Sequence, residues 1–356
     1  MSVKKNQHFV PRFYLKYFSN SFLGKTLGIY NIPSDKYIDR GNLQKQASKE
    51  YFYGEDLAVE DTLAAIEAET AKLFRNICET GVLPPRFSEE HIVMLIFIMI
   101  LSARTEQSAD TQNETADKIF KEIFKYDSRV KDFLDQVVVG WGDNAPLVSI
   151  RFAVESIPVL FDLEFKLLVN RTDVPFITSD QPVVLYNQFL ERRKAFGGIT
   201  GYAVKGLQIF FPLNPWLSFV FYDTNVYGVG NKKDCYINIT NTKDVMSLNL
   251  LQYANAYKNL YFNEFFTEIL IQELKDKGSS FRKESLSNVF EYGSVEMKGS
   301  SLIHTFISDT RIRLNLSFIR ELKKAKRYEL GNKMTHIRNQ ELLDMTEREL
   351  FLNTDD

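Results

Sequence analysis

The spacing of the apolar residues changes halfway along this chain of 356 residues, and that change constrains the fold most strongly. Within residues 56–79, Val59, Leu63 and Ile66 recur every three or four positions, which places them on one face of a helix. From residue 161 onward, apolar and polar residues alternate over short segments, as is typical of strands. Helices followed by strands favour the α+β class.

The first half of the chain is predicted to be mainly helical. Its longest apolar run, residues 92–101, holds ten residues, whereas a membrane-spanning helix needs roughly 18. We therefore interpret the run as a buried core helix that begins after the N-cap Ser88, and expect no membrane partner. An amphipathic helix is predicted over residues 113–138, so that the helical part covers residues 56–140.

The second half is predicted to form a mainly antiparallel sheet over residues 158–240, because its strands follow one another closely. The predicted strands are 161–169, 175–186, 207–212, 217–222 and 234–239. Residues 242–277 return to a helical pattern in two pieces. We therefore predict that the helical half packs on the sheet.

We predict one α+β domain over residues 1–277, which a C-terminal extension over 278–356 follows. Near the N-terminus, residues 25–31 alternate as a strand and lead into a turn at Pro33, which predicts a hairpin. The extension is expected to hold strands at 288–292 and 302–307, with a charged helix at 316–329 and further helical elements.

Composition excludes several classes of protein. The 44 basic and 46 acidic residues give a net charge of −2, so that no global field attracts nucleic acid or a membrane. Two cysteines cannot build a disulfide framework or a multi-cysteine zinc site. The N-terminal residues lack the apolar segment of a signal peptide, and a cytoplasmic location is expected.

The N-terminal segment is the first candidate site. Residues 1–34 hold five basic residues and no acidic one, and His8, Arg12 and Tyr14 lie in its aromatic stretch. Two interpretations of His8 stay open: a general acid or base, or a histidine that is hydrogen-bonded beneath aromatic side chains. Arg12 and Tyr14 are candidate binding residues in either case.

Asp180, between Ser179 and Gln181, is the second candidate. It interrupts a strongly apolar segment, where an ionised carboxylate is costly to bury unless it is paired or hydrogen-bonded. Asp180 is then either a metal ligand or acid–base group, or the centre of a structural turn in which it accepts backbone N–H bonds. Ser179 and Gln181 are binding candidates beside it.

Glu164 and Lys166 lie on one face of a predicted strand. In some nucleases such a glutamate helps to hold a divalent metal while the lysine steadies the attacking water. The alternative is the polar face of a half-exposed strand.

Glu60 and Glu67 share one helical face, because seven residues separate them. They are candidate metal ligands or partners of basic residues such as Arg12. Arg104 follows the apolar helix, where a cation suits the helix dipole, and is a further binding candidate.

A basic run covers residues 320–338, with seven basic and two acidic residues. It is interpreted either as a solvated helix face or as a nucleic-acid contact.

Three segments together resemble one family. Residues 6–18 resemble the His-x-Val-Pro-x-Phe-Tyr-Leu signature of the domain of unknown function family 4238, and residues 176–184 and 211–215 resemble its next two segments, with Gln181 where asparagine is commoner. The resemblance covers about residues 6–265. It implies a mainly prokaryotic family and no particular activity.

We therefore expect a metal-assisted hydrolase or nuclease that acts on nucleic acid or in phage defence, with Mg²⁺ or Mn²⁺ as cofactor. His8, Asp180 and one of Glu60, Glu67 or Glu164 would supply the ligands, acid or base. The alternative is a non-catalytic module that binds a nucleic acid, a nucleotide or a partner protein.

Overall fold

The computed structural model describes residues 6–55, 57–294, 301–331 and 335–352. Of the basic residues considered above, Lys4, Lys5 and Lys333 lie outside these ranges. The helices are α1 (Arg12–Leu15), α2 (Leu57–Thr80), α3 (Glu89–Ala103), α4 (Glu106–Phe124), α5 (Ala145–Glu155), α6 (Gln188–Arg192), α7 (Thr242–Asn255), α8 (Glu268–Gly278), α9 (Lys323–Lys326) and α10 (Gln340–Leu352). The strands are β1 (Asn6–His8), β2 (Thr26–Asn31), β3 (Lys36–Asn42), β4 (Ser48–Glu50), β5 (Glu164–Asn170), β6 (Thr178–Ser179), β7 (Val184–Tyr186), β8 (Gln208–Asn214), β9 (Leu217–Tyr222), β10 (Tyr227–Val229), β11 (Tyr236–Ile239), β12 (Asn259–Phe262), β13 (Ser287–Ser294), β14 (Ser301–Ile307) and β15 (Ile319–Glu321). The α+β class is confirmed.

The larger sheet has the order β11-β5-β9-β8-β7. Its strands are antiparallel except for the parallel pair of β11 and β5. The single strand predicted over 175–186 is wrong, because β6 and β7 belong to different sheets. Pro182 lies between them and has no N–H to donate to a ladder, so the chain changes sheets there.

The second sheet has the order β3-β2-β12-β6, and β2 and β3 form the predicted N-terminal hairpin. The two helical pieces predicted over residues 242–277 are α7 and α8, but the strand β12, which was not predicted, lies between them. Asn259–Phe262 pair with β2 on one side and β6 on the other. Those long-range hydrogen bonds override the local helical pattern.

The apolar run forms most of α3, whose residues from Met94 are largely buried. Ser88 is its N-cap, as predicted, and its hydroxyl accepts a hydrogen bond from the backbone N–H of His91. Within the described ranges no single helix is long and apolar enough to cross a membrane, although α3 and α4 meet that test as a pair with a bend of 60°.

Aromatic side chains join the helices to the larger sheet. Phe74 of α2 contacts Phe97 of α3 edge-on, with ring centroids 5.4 Å apart. The same ring lies 5.9 Å from both Phe211 of β8 and Phe219 of β9. All four side chains are buried. The helical half therefore packs on the mainly antiparallel sheet, as the sequence predicted.

Two predicted helices have other bounds. The helix predicted over 113–138 is α4, which begins at Glu106 because Thr105 is its N-cap, and which ends at Phe124. The charged helix predicted over 316–329 is wrong, since only Lys323–Lys326 are helical there. Residues 319–321 instead pair with β10 as β15, and Ile319 packs against a buried core cluster. Tertiary pairing overrides local propensity in this segment.

Candidate functional site

The Asp180 side chain is buried at the turn between β6 and β7. Its Oδ1 accepts a hydrogen bond from the backbone N–H of Tyr257 at 2.8 Å, and its Oδ2 accepts from those of Lys258 at 2.7 Å and Asn259 at 2.9 Å. Burial raises the pKa of Asp180 to about 6, against the opposing effect of these three donors. The carboxylate thus fixes the chain that enters β12.

Gln181 lies beside it at the junction of α3 and α4. Its Oε1 accepts a hydrogen bond from the hydroxyl of Thr105, and its Nε2 donates to the carbonyl of Ser102 at 3.2 Å. The Oγ of Ser179 accepts from the backbone N–H of Gln181 at 2.9 Å. The turn is therefore tied to the helical half on one side and to β12 on the other.

Two of the three N-terminal candidates, His8 and Tyr14, make hydrogen bonds within the fold. The Nε2 of half-buried His8 lies 3.1 Å from the carbonyl of Gln44, and burial is the main reason that the pKa of His8 is lowered. The buried Tyr14 hydroxyl donates to the carbonyl of Pro212 at 2.7 Å and lies 2.8 Å from Thr178 Oγ1. Arg12 is exposed.

Arg104 is the centre of a buried cluster. Its Nη1 lies 2.7 Å from Glu67 Oε1, its Nε donates to the Tyr53 hydroxyl at 2.9 Å, and its Nη2 donates to the His8 carbonyl at 2.6 Å. Glu67 thus takes part in an ion pair, with Arg104 as its partner. Burial raises the pKa of Tyr53 to about 12, and the charge of Glu60 contributes to the rise.

Glu164 and Lys166 lie on β5 with different partners. Lys166 Nζ donates to the carbonyl of Asn231 at 2.5 Å and to that of Asp234 at 2.6 Å, and burial lowers its pKa. Glu164 Oε2 lies 3.5 Å from Arg86 Nη1. Among the described residues no group of three or more His, Cys, Asp or Glu side chains could hold a metal ion. The predicted metal and catalytic roles stay predictions.

Gln181 also lines a cavity of about 390 Å³. α3 and α4 supply one wall, β7 and residues 198–204 a second, and β14 with the segment after it a third. Much of this lining consists of hydroxyl and amide side chains: Ser102, Gln107, Ser108, Thr111, Gln112, Gln181, Thr200, Asn255, Thr305, Ser308, Thr310 and Thr335. These side chains offer hydrogen bonds to a polar ligand, while the greater part of the exposed lining surface is apolar.

Besides Tyr202, the titratable side chains of Lys283, Asp309 and His304 line the same cavity. The ammonium of Lys283 makes no hydrogen bond and no ion pair with another described residue, and burial lowers the pKa of Lys283 to about 8. Asp309, whose side chain is 2% exposed, accepts from the backbone N–H of Ile199 at 2.8 Å and from the Thr200 hydroxyl, and burial raises its pKa. In the described part of the chain, the buried Nε2 of His304 has no hydrogen-bond partner.

The order of the N-terminal, Asp180 and Pro212 segments is that of one known family. A model of proteins of unknown function, DUF4238, matches residues 6–265. The chain belongs to the DUF4238 family. No curated protein and no solved structure matches it.

In this DUF4238 protein the matched region supplies Gln181 and the helical wall of the cavity, whereas Lys283, His304 and Asp309 lie beyond residue 265. Sequence reasoning did not select these three residues. The sequence could have indicated Asp309 as a candidate, because this carboxylate follows an apolar strand, as Asp180 does. Lys283 carried no such signal, because only the fold brings it to the cavity.

Proposed function

We propose that the protein binds a small anionic ligand of the nucleotide class in the cavity beside Gln181. The observation that carries the proposal is the ammonium of Lys283 at the wall of a cavity of about 390 Å³, where no described residue forms a hydrogen bond or an ion pair with it. The charge of Asp309 in the same lining attracts this ammonium, but the desolvation that comes with burial is the larger effect, so that the charged form is disfavoured. A ligand phosphate would add a second negative charge and would supply hydrogen-bond acceptors to the ammonium.

The remaining lining suits the other parts of a nucleotide. Tyr202 and Phe306 offer aromatic surface for a flat base, and the hydroxyl and amide groups suit a sugar. The buried Oε1 of Gln107, which has no hydrogen-bond partner in the described residues, is an acceptor for a base amine or a sugar hydroxyl. The cavity volume lies in the range of about 300 to 1,000 Å³ of small-molecule sites.

Calorimetric titration with nucleoside monophosphates, the matching nucleosides and inorganic phosphate tests this function. We expect monophosphates to bind the wild type most tightly and Lys283→Met to weaken them at least about tenfold, because a hydrogen bond to a charged group contributes roughly 1.5–3 kcal/mol. The control is Lys233→Met, which removes an exposed lysine outside the cavity lining. Equal affinities in wild type and Lys283→Met would contradict the proposal.

Hydrolysis of the bound phosphoester is a second candidate function, in line with the hydrolase or nuclease expected from the sequence. It is favoured by His304 and Lys283, an imidazole and an amine that lie in one cavity and could act there as acid and base. Mg²⁺ or Mn²⁺ would be supplied with the substrate. Phosphate release and nucleic-acid cleavage, measured with and without each metal in wild type, His304→Gln and Asp180→Asn, test this candidate. Loss of turnover in Asp180→Asn alone would favour the metal site predicted at Asp180.

The remaining expectations belong to the same proposal. A role in phage defence would follow if the ligand is formed in infected cells. A nucleic acid or a partner protein as binding partner is part of the proposal. Cys78 and Cys235 are both free thiols, as they would be in a reducing cytoplasm.

A further inference from the structure

A second, smaller cavity of about 220 Å³ lies between α6, α9 and the chain that precedes β8. Its lining includes Phe189, Lys205, Asn225, Lys324 and Tyr328. Lys205 Nζ lies 5.6 Å from the centre of the Tyr328 ring, and Lys324 Nζ donates to Asn225 Oδ1 at 2.9 Å. Two lysines that are far apart in the sequence thus line one cavity together with the half-buried ring of Tyr328, which also packs against Phe189.

The surface around this cavity is basic. α9 and its flanks expose four further cations, Arg320, Lys323, Lys326 and Arg327. Of the two acidic residues in this stretch, Glu321 forms a largely buried ion pair with Arg193, with side chains 11% and 17% exposed. Glu329 is the exposed one. The face therefore has a clear excess of positive charge, although the whole chain has a net charge of −2.

We propose that this face binds single-stranded nucleic acid, with phosphates at Lys205 and Lys324 and a base against Tyr328. Backbone phosphates pair with lysines, and bases stack on aromatic rings, in sites that accept single strands without sequence preference. An acidic peptide would use the lysines but gain nothing from the ring. The combination at Tyr328 therefore favours a nucleic acid over an acidic protein segment.

This site adjoins the first cavity but does not depend on it. Val204 lines the first cavity and its neighbour Lys205 lines the second. Thr335 lines the first, while His336 accepts a backbone hydrogen bond from Lys205 at 2.6 Å and its Nδ1 lies 2.9 Å from the Tyr328 hydroxyl. A single strand could therefore bind here whether or not Lys283 holds a nucleotide.

Fluorescence anisotropy with a labelled oligothymidylate tests the inference over a range of salt concentrations. The variants are Lys205→Glu with Lys324→Glu, and Tyr328→Leu. We expect the double charge reversal to weaken binding at least about tenfold and to lower the slope of log K against log salt by roughly 1.4, about 0.7 for each phosphate contact. Tyr328→Leu should weaken binding about fivefold or more, the loss expected for one stacked base.

The control is Lys243→Glu with Lys277→Glu, which reverses two exposed lysines on α7 and α8. It should bind as the wild type does, and circular dichroism should show that all variants remain folded. An equal loss in the control, or no binding by the wild type, would overturn the inference. So would a labelled oligoglutamate that binds as tightly as the oligonucleotide with no effect of Tyr328→Leu, since that result indicates a general anion surface.

Discussion

The carboxylate of Asp180 accepts a hydrogen bond from the backbone N–H of Lys258 at 2.7 Å, across 78 positions of sequence. Two neighbouring N–H groups donate to the same carboxylate, so that Asp180 anchors the start of β12 between the two flanking strands of its sheet. Within the polar segment 179–181, Asp180 thus holds β12 in place, and Gln181 lines the larger cavity.

Replacement of Asp180 by alanine should destabilise the protein by roughly 3 kcal/mol or more, because each buried N–H left without a partner costs about 1–3 kcal/mol. Asp180→Asn should lower the stability less, because the amide oxygen of asparagine still accepts hydrogen bonds on one side. Urea unfolding of the three proteins measures the difference. An alanine variant as stable as the wild type would show that the three hydrogen bonds contribute nothing.

The same carboxylate predicts an unusual dependence of stability on pH. Its pKa is raised to about 6 in the folded protein, against about 3.9 in an unfolded chain. The folded state therefore binds more protons than the unfolded state between these values, and the contribution of Asp180 to stability falls as pH rises from 4 to 6. The advantage of wild type over Asp180→Asn should shrink over that range by about 2–3 kcal/mol. A constant or growing advantage would contradict the raised pKa.

Tyr14 is expected to stabilise the fold through its buried hydroxyl. Tyr14→Phe removes a buried hydroxyl that donates to the Pro212 carbonyl, and should cost roughly 1–2 kcal/mol. The matched control is Tyr17→Phe on the same segment, because the half-buried Tyr17 hydroxyl makes no hydrogen bond to a described residue. Thermal unfolding distinguishes them. Equal stability in both variants, with loss of ligand binding in Tyr14→Phe, would instead support the binding role predicted from the sequence.

The lowered pKa of Lys283 predicts that ligand affinity depends on pH. Its pKa of about 8 means that the ammonium begins to lose its proton just above neutral pH. Affinity for a nucleoside monophosphate should therefore fall about tenfold between pH 7 and pH 9, in proportion to the charged fraction. Lys283→Arg keeps its charge and should show no such fall. Titrations at several pH values check this, and parallel curves for the two proteins would contradict it.

Lys283→Met should not destabilise the protein in the absence of ligand. The desolvation of its partly buried ammonium outweighs the attraction of nearby Asp309, and an apolar side chain of similar length removes that desolvation cost. Thermal unfolding without ligand checks this. A clear loss of stability would mean that Lys283 supports the fold itself.

Local signals in the sequence predicted the elements that depend on local chemistry. The stripe of Leu63 and Ile66 predicted α2, and Ser88 predicted the start of α3, because periodicity and capping act over a few residues. The division of residues 175–186 between two sheets, and the insertion of β12, depend on strands that are far away in sequence. Local patterns do not record those contacts.

The candidate site was predictable only in part, for the same reason. Gln181 was selected as a binding residue and lines the cavity. The groups that give the cavity its charge come from three places: the chain after α8, β14 and the segment that follows it. Only the packing of these segments against α4 and Gln181 makes Lys283, His304 and Asp309 neighbours.

The most direct test of the central claim is the pKa of the Lys283 ammonium, measured by nuclear magnetic resonance of lysine-labelled protein with and without a nucleoside monophosphate, and assigned with Lys283→Arg. The account predicts a pKa of about 8 in the free protein, and a rise when the phosphate binds, because a nearby anion favours the charged form. A value near 10.4, the ordinary pKa of lysine, that saturating ligand leaves unchanged would contradict the account.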